Sequence, residues 1–252
     1  MILGIFYQGS GLGNQLHRYV ATRVRAKDLN VPWDMMYIPD GSSKKDGFKG
    51  ESFMDISWGD TPKLFNEMDS WNEKKVRENG IDVSSYDPEF FFIKDNTIID
   101  GEFQDERYWE HLEKEVDEWL KVEPIETADN ICMIGFRGGE FALYPDLFLT
   151  KEYYEEAMDI MVKEHGVKGF IVHTDDERLA KEFFGDIPII HDIGINWRSM
   201  RYAKHAIIAN SSFFILPRWL RNGVTIAPRF WGRRNVKIWS MAQNYYKRFK
   251  YI

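Results

Sequence analysis

The sequence predicts an α/β fold built on parallel sheets. In the second half of the 252 residues, short apolar runs bounded by Gly, Pro, Asp or Asn alternate with segments of helical periodicity. The opening segment repeats this order, because the apolar run MILGIFY is followed by glycines and then by Leu16, Tyr19, Val20 and Val24 at helical spacing. Strands alternating with helices of about ten residues are typical of βαβ units and a parallel sheet.

The first apolar run ends at glycines, which let the backbone turn with no Cβ in the way. We expect a buried strand followed by a helix that begins near Asn14. A turn of this kind at a helix N-terminus is suited to holding a phosphate or a sugar hydroxyl against free backbone N–H groups. It is not the dinucleotide fingerprint, because Asn14 stands where the third glycine belongs, and it is not a P-loop, because no Gly-Lys-Ser/Thr follows.

The segment from Trp33 to Phe92 has no clean period. It predicts either a small α/β domain with long loops or an insertion that binds an acceptor. The next segment, DERYWEHLEKEVDEWLK, predicts a helix because its large apolar side chains fall on one stripe. VEPIETADN then indicates a linker, so we place one domain at residues 1–125 and a second at 126–252.

The second half predicts strands at the apolar runs NICMIGF, GFIVHT, IPIIHD, AIIAN and GVTIAP. Ligands of parallel α/β sheets bind at the carboxyl ends of the strands. The candidates for a site are therefore the polar residues and the proline that follow these runs: Arg137, His173–Asp176, His191, Asp192, Asn210–Ser212 and Pro228.

Composition and charge argue against several classes of protein. A net charge of −7 and a pI of about 5.5 argue against a nucleic-acid surface. Cys132 is the only cysteine, which excludes an intramolecular disulfide and a cysteine-based metal site. The first residues lack the pattern of a signal peptide, and no apolar run approaches the roughly 18 residues that span a bilayer. We expect a cytoplasmic protein without integral membrane association.

Five segments in order resemble the α-1,2-fucosyltransferases. GLGNQ at 11–15 matches the opening motif of that family, and KHAIIANSSFFILPRWLRNGVTIAPRFW at 204–231 is similar to its donor-binding end. Between them, DGEFQDERYWEHLEKEV, FLTKEYYEEAMDIM and FIVHTDDERLAKEFF resemble further blocks of the family. The resemblance implies the GT-B architecture, in which two Rossmann-like halves face a cleft. The first half would serve the acceptor, and the second would bind the nucleotide-sugar.

The resemblance also assigns roles to individual residues. Arg137 falls on the first arginine of a His-x-Arg-Arg-x-Asp motif that grips the β-phosphate, and a guanidinium is able to bind two phosphate oxygens at once. The chain departs from this motif at three positions, where Gly135, Gly138 and Glu140 replace the histidine, the second arginine and the aspartate. We expect Arg137 and Glu140 to be catalytic. The donor-binding residues would be Gly11, Gly13, Asn14, Gln15, Arg137, His173, Asp175, Asn210, Ser211, Ser212 and Phe213.

Finer roles follow from the same resemblance. Asp175 is expected to recognise the base or the ribose, and Asn196 stands where the family usually has an aspartate near guanine. The identity of the general base stays open between Glu140, Asp105, Asp175 and His17, with Glu140 preferred because it takes the place of the family's acid.

The predicted function is an inverting, metal-independent glycosyltransferase that moves L-fucose from GDP-fucose to a glycan hydroxyl. No Asp-x-Asp run of the metal-dependent kind is present, so we expect no cofactor besides the GDP-sugar co-substrate. Two alternatives remain. One is a transferase that uses another GDP-sugar, and the other is a nucleotide-sugar or glycan-binding protein without turnover.

Overall fold

The computed structural model describes residues 1–38, 47–57, 59, 67–78, 81–145, 147–229 and 246–252. These residues form two compact units: unit 1 comprises Met1–Val122, and unit 2 begins at Glu123. Parts of the segment 33–92 and the end of the run 204–231 lie outside the described residues.

Unit 1 is built on a four-stranded parallel sheet. Its elements are β1 (Ile2–Tyr7), α1 (Leu12–Leu29), β2 (Trp33–Ile38), β3 (Asp69–Asn72), β4 (Lys75–Glu78), β5 (Ile81–Ser84), β6 (Thr97–Asp100) and α2 (Glu113–Trp119). The sheet has the order β2-β1-β6-β3, and β4 and β5 form a separate antiparallel pair. Strand β1 lies inside the sheet and is buried from Ile2 to Phe6, which explains why its sequence is continuously apolar.

Helix α1 begins at Leu12 rather than near Asn14, where the sequence predicted its start. The buried Leu12 and Gly13 extend the helix toward the strand, so that Asn14 lies in its first turn. Gly11 occupies the N-cap position with extended backbone. The helix ends at Asn30, whose left-handed backbone directs its N–H to the carbonyl oxygens of the last turn.

The helix predicted over DERYWEHLEKEVDEWLK forms only in part. Residues 106–108 and 110–112 are short 3₁₀ turns, and the α-helix covers only Glu113–Trp119. The break lies at Trp109, which has a φ of −134° and is fully buried. Its ring centroid lies 5.3 Å from that of His17. The backbone at Trp109 therefore leaves the helical conformation that the spacing of apolar residues predicted, and its ring is buried.

A buried carboxylate fixes the loop after β6. Glu73 Oε2 accepts the backbone N–H groups of Glu102 at 2.7 Å and Phe103 at 3.0 Å. Its Oε1 accepts the Tyr108 hydroxyl at 2.8 Å. Phe103 has a φ of 50°, a left-handed conformation that is unfavourable for a bulky residue and that these bonds stabilise. Burial raises the pKa of Glu73 to about 7.

Unit 2 contains a six-stranded parallel sheet. Its elements are β7 (Ile131–Phe136), α3 (Lys151–His165), β8 (Gly169–Thr174), α4 (Glu177–Phe184), β9 (Ile189–Ile190), α5 (Ile193–Tyr202), β10 (His205–Ile207), α6 (Ser212–Trp219), β11 (Val224–Ala227) and β12 (Lys250–Tyr251). The strand order is β12-β11-β10-β7-β8-β9. All five predicted apolar runs contribute strands, so the α/β prediction with parallel sheets is confirmed. The arrangement of the two halves about a cleft stays a prediction.

Arg218 on α6 is completely buried in unit 2. Its guanidinium donates to the carbonyl oxygens of Met200 at 2.8 Å, Ala203 at 2.7 Å and Val224 at 3.1 Å, and to the Thr225 hydroxyl at 2.9 Å. The side chain thereby ties α6 to the end of α5 and to the start of β11. Burial lowers the pKa of Arg218 to about 9, and its partners among the described residues are carbonyl and hydroxyl oxygens rather than carboxylates.

Within the described residues, none of the helices has the length and apolar character needed to cross a membrane.

Candidate functional site

The candidate site lies at the carboxyl edge of the unit 2 sheet, where β7 and β8 end side by side. Phe136, the last residue of β7, pairs with Thr174, the last residue of β8, so Arg137 and Asp175 are the next residues along these two strands. The Arg137 Nη1 donates to Asp175 Oδ2. The backbone N–H of Gly138 donates to the other oxygen of this carboxylate, Oδ1, at 2.9 Å. Two of the predicted site residues are thus in direct contact.

The remaining contacts of Arg137 leave part of its guanidinium available. Nη2 donates to Glu140 Oε1 at 3.3 Å, and the guanidinium carbon lies 5.4 Å from the centre of the Phe141 ring. The Nε atom is buried and has no hydrogen-bond partner among the described residues. The Arg137 side chain is 28% exposed, whereas that of Glu140 is 68% exposed. An anion at this edge would therefore reach the exposed part of the guanidinium, whose terminal nitrogens pair with Asp175 and Glu140, and not the buried Nε.

Three glycines in and after the end of β7, Gly135, Gly138 and Gly139, are packed too closely to accept side chains without adjustment. A Cβ added to Gly135 would lie 2.9 Å from the Phe214 ring, and one added to Gly138 would lie 2.7 Å from Asp176 Cβ. Gly139 has a φ of +41°, and its Cβ would lie 2.5 Å from Asp175 Oδ2. Positions 135 and 138 are two of the positions at which the chain departs from the His-x-Arg-Arg-x-Asp motif. In this fold, the space for those motif side chains is filled by Phe214 and by the turn at Asp175–Asp176.

The turn from β10 into α6 lies next to the end of β7. Strand β10 pairs with β7, and the backbone N–H of Ala209 donates to the Gly135 carbonyl at 3.0 Å. Ser211 is the N-cap residue of α6, but its side chain makes no capping hydrogen bond. Asn210 is buried and donates through Nδ2 to the Leu147 carbonyl at 2.9 Å. Ser212 and Phe213 form the first turn of α6, so this predicted group surrounds the amino end of a helix.

The side chain of His173 is fully buried. Its Nδ1 lies 2.9 Å from Asn196 Oδ1, and its Nε2 lies 3.3 Å from Met133 Sδ. Asn196 in turn donates to the Thr174 carbonyl at 3.0 Å. Burial lowers the pKa of His173 to about 4, although the hydrogen bond to Asn196 opposes this shift. His173 and Asn196 therefore support the end of β8 from inside the unit.

In unit 1, the residues of the GLGNQ motif hold loops in place. Asn14 Oδ1 accepts Gln104 Nε2 at 3.1 Å, which joins two of the segments that resemble the fucosyltransferase family. Gln15 donates to the Gly47 carbonyl at 2.7 Å and accepts the Lys49 N–H at 3.0 Å. The exposed Gly11 caps α1, and Gly13 accepts a bond from His17 Nδ1 at 2.7 Å. Donor binding by these four motif residues stays a prediction.

Two of the candidates for the general base are already engaged. Asp105 accepts Arg107 Nε at 2.8 Å and Arg107 Nη2 at 2.6 Å, and it also caps the 3₁₀ turn that begins at Glu106. His17 is fully buried, and burial lowers its pKa to about 4. Glu140 is the most exposed of the candidates that lie at the edge beside Arg137.

The sequence analysis missed a polar cluster at the carboxyl edge of the unit 1 sheet. Tyr7 ends β1 and Asp100 ends β6, and the Tyr7 hydroxyl donates to Asp100 Oδ2 at 2.6 Å. Arg18 from α1 pairs with Asp100 at 2.5 Å and with Glu102 at 2.9 Å. The position of Asp100 directly after an apolar run was the available signal. The charge of Arg18 is balanced within this cluster.

Among the described residues, no group of three or more His, Cys, Asp or Glu side chains is arranged to hold a metal ion.

Comparison with known proteins gives no family assignment. No family model matches the chain, and no curated protein is significantly similar to it. Among solved structures, the chain is similar to E. coli heptosyltransferase WaaC with ADP, at 9% sequence identity and a TM-score of 0.46. The alignment covers 100% of this chain and 92% of the heptosyltransferase chain. Similarity at this level assigns neither a family nor an activity.

Proposed function

We propose that this chain is a glycosyltransferase that binds a nucleoside-diphosphate sugar at the carboxyl edge of the unit 2 sheet. The observation that carries the proposal is the position of Arg137 directly after β7, beside the turn that leads into α6. An arginine next to the amino end of a helix provides a guanidinium and the partial positive charge of the helix dipole for one diphosphate. The motif residues that resemble those of the α-1,2-fucosyltransferases support the same assignment.

In the proposed reaction, an acceptor hydroxyl oxygen attacks the anomeric carbon from the face opposite the diphosphate. A bond forms between that oxygen and the carbon while the bond from the carbon to the β-phosphate oxygen breaks, which inverts the configuration. The electron pair of the broken bond leaves with the nucleoside diphosphate, whose added negative charge Arg137 and the N-terminal turn of α6 would stabilise. Glu140 would accept the hydroxyl proton because it is exposed beside Arg137.

GDP-L-fucose is the donor that the sequence resemblance favours, with a glycan hydroxyl as acceptor. We propose that the reaction proceeds without a metal ion and takes place in the cytoplasm, the latter because the chain has a single cysteine. Another GDP-sugar is the alternative donor, since Gly138 stands where the motif has its second arginine.

A second candidate function, nucleotide-sugar or glycan binding without turnover, is favoured by the charge around Arg137. Asp175 and Glu140 both pair with this arginine, so one cation faces two carboxylates. A bound diphosphate would have to share or displace these partners. This arrangement would permit binding while stabilising the departing diphosphate less than the two arginines of the family motif would.

We predict that replacing Arg137 weakens donor binding so far that no thermal shift is seen at the ligand concentrations that stabilise the wild type. In thermal-shift titrations, a ligand at about 100 times its Kd stabilises the folded protein by about 2.7 kcal/mol. GDP and one GDP-sugar should stabilise the wild type and leave Arg137→Ala unchanged, whereas UDP-sugars and NAD should stabilise neither. Arg178→Ala is the matched control, because Arg178 is an exposed arginine of unit 2 that pairs with Glu182 along α4.

The GDP-sugar that gives the largest shift is the donor to use in a transfer assay with EDTA present. Loss of the arginine should lower turnover by about 10²–10³-fold. A GDP shift without transfer or donor hydrolysis would support the binding function instead. The absence of a shift with every guanine nucleotide would reject the transferase and the binding of a GDP-sugar.

A further inference from the structure

Asp175 uses both of its carboxylate oxygens within the protein. Oδ2 accepts Arg137 Nη1, and Oδ1 accepts the backbone N–H of Gly138 at 2.9 Å. One carboxylate therefore fixes both the side chain and the following backbone of the segment that leaves β7. Each oxygen thus has one lone pair engaged within the protein, and the carboxylate is directed at Arg137 and at the Gly138 backbone.

The turn that carries Asp175 is itself held on both sides. The Thr174 hydroxyl accepts the backbone N–H of Asp176 at 2.9 Å. Asp176 Oδ1 accepts the N–H of Leu179 at 2.9 Å and thereby caps α4. The backbone on each side of Asp175 is consequently constrained, so its carboxylate is presented to Arg137 from a fixed support rather than from a free loop.

The segment opposite this turn is shaped to fit it. Gly138 and Gly139 pack against Asp176 and Asp175 so closely that a Cβ at either position would meet their side chains at 2.7 and 2.5 Å. The positive φ of Gly139 bends the chain around the carboxylate. The two glycines and the Asp175–Asp176 turn therefore form one interlocked unit, and Arg137 is the residue whose position this unit sets.

We propose that Asp175 is a positioning residue that orients Arg137 toward the diphosphate, rather than the ligand of the base or ribose that the sequence suggested. This inference rests on the proposed function of the same edge. In this proposal, Asp175 affects nucleotide binding only through Arg137, and it affects only the binding of the phosphates.

A double-mutant cycle tests this dependence. Asp175→Asn retains an oxygen for the Gly138 N–H but removes the charge, and we expect it to weaken GDP binding about tenfold in calorimetric titrations. Guanosine binding should stay unchanged. In the Arg137→Ala background, the same substitution should cause no further loss for GDP. Additive losses in the cycle, weaker guanosine binding or tighter GDP binding in Asp175→Asn would each overturn the proposal.

A second measurement does not depend on nucleotide binding. In ¹⁵N NMR spectra, the Arg137 guanidinium N–H groups should exchange with water faster in Asp175→Asn than in the wild type. Asp159→Asn is the matched control, because Asp159 is an exposed carboxylate of unit 2 that pairs with Lys163. Unchanged Arg137 exchange in Asp175→Asn would overturn the positioning role. If the wild type binds no guanine nucleotide, the proposed function fails, whereas this exchange measurement still decides whether Asp175 holds Arg137.

Discussion

Replacing Arg218 by alanine should destabilise unit 2 by at least about 3 kcal/mol, since each buried polar group left without a partner costs about 1–3 kcal/mol. The Arg218 guanidinium serves three carbonyl oxygens, those of Met200, Ala203 and Val224, and the Thr225 hydroxyl. Alanine would leave these acceptors inside the protein with no donor and would also create a cavity. This loss of stability would exceed the stability gained by removing a buried charge, because the hydrogen-bond acceptors of that charge remain buried.

Urea unfolding monitored by circular dichroism measures this effect. Arg218→Lys should lose less than Arg218→Ala, because an ammonium group offers three donors where the guanidinium serves four acceptors. The control Arg178→Ala changes an exposed arginine and should stay within about 0.5 kcal/mol of the wild type. A wild-type free energy of unfolding in Arg218→Ala would show that these acceptors find other donors.

The protein should lose stability as the pH falls from 6.5 toward 4, because two histidines are buried in neutral form. Burial lowers the pKa of His17 and of His173 to about 4. Between that value and their ordinary pKa of about 6.5, the unfolded chain binds more protons than the folded one. The free energy of unfolding therefore decreases with falling pH, by about 3 kcal/mol for each histidine once both pKa values are passed.

Glu73 acts in the opposite direction over much of the same range. Its folded pKa of about 7 lies above the ordinary glutamate value of 4.5, so the folded protein binds the additional proton between these values. This contribution makes the folded protein more stable as the pH falls from 7 to 4.5, and it masks part of the histidine effect. Glu73→Gln, which keeps an oxygen for the loop N–H groups, should therefore steepen the acid loss of stability.

Free energies of unfolding at pH 7.5, 6 and 5 separate these contributions. His17→Asn and His173→Asn keep a hydrogen-bond donor where Nδ1 lies, and asparagine does not titrate in this range. Each variant should therefore reduce the pH dependence of the free energy of unfolding, even if it also lowers stability equally at every pH. An unchanged slope in both variants would contradict neutral burial of these histidines. Replacing His111, which pairs with Asp28 at the surface, provides the control.

Apolar runs were sufficient to predict five of the six strands in the unit 2 sheet, because strands covered on both faces require continuous apolar sequence; β12 lies in none of these runs. The same reasoning failed at Trp109, whose backbone leaves the helix while its ring is buried against His17. The spacing of apolar residues does not reveal such a break, since it is the same in a continuous helix and in a helix interrupted at Trp109. The start of α1 was also placed late, because the glycine at position 13 was taken as part of the turn.

The location of the candidate site followed from the sequence, but its internal contacts did not. Arg137 and Asp175 each follow an apolar run, so the sequence placed both at the ends of strands. In a parallel sheet these ends share one edge, where ligands bind. Their pairing depends on β7 and β8 being neighbours in the sheet, which residue types alone do not specify. The sequence showed that the second arginine of the motif is replaced by Gly138. It did not show why, because the close packing of Gly138 against Asp176 is seen only in the structure.

The position of β1 inside its sheet has a consequence for how unit 1 is made. One neighbour of β1, strand β6, pairs Ile2 with Thr97, so much of the unit must be synthesised before this pairing is possible. Translation at roughly 5–20 residues per second leaves one edge of an apolar strand without its native neighbour for several seconds or more. Strands far apart in the sequence also pair slowly, because closing the long loop between them costs entropy before the new contacts stabilise the structure. During biosynthesis, unit 1 should therefore depend on chaperones that shield strand edges more than its compact native form suggests.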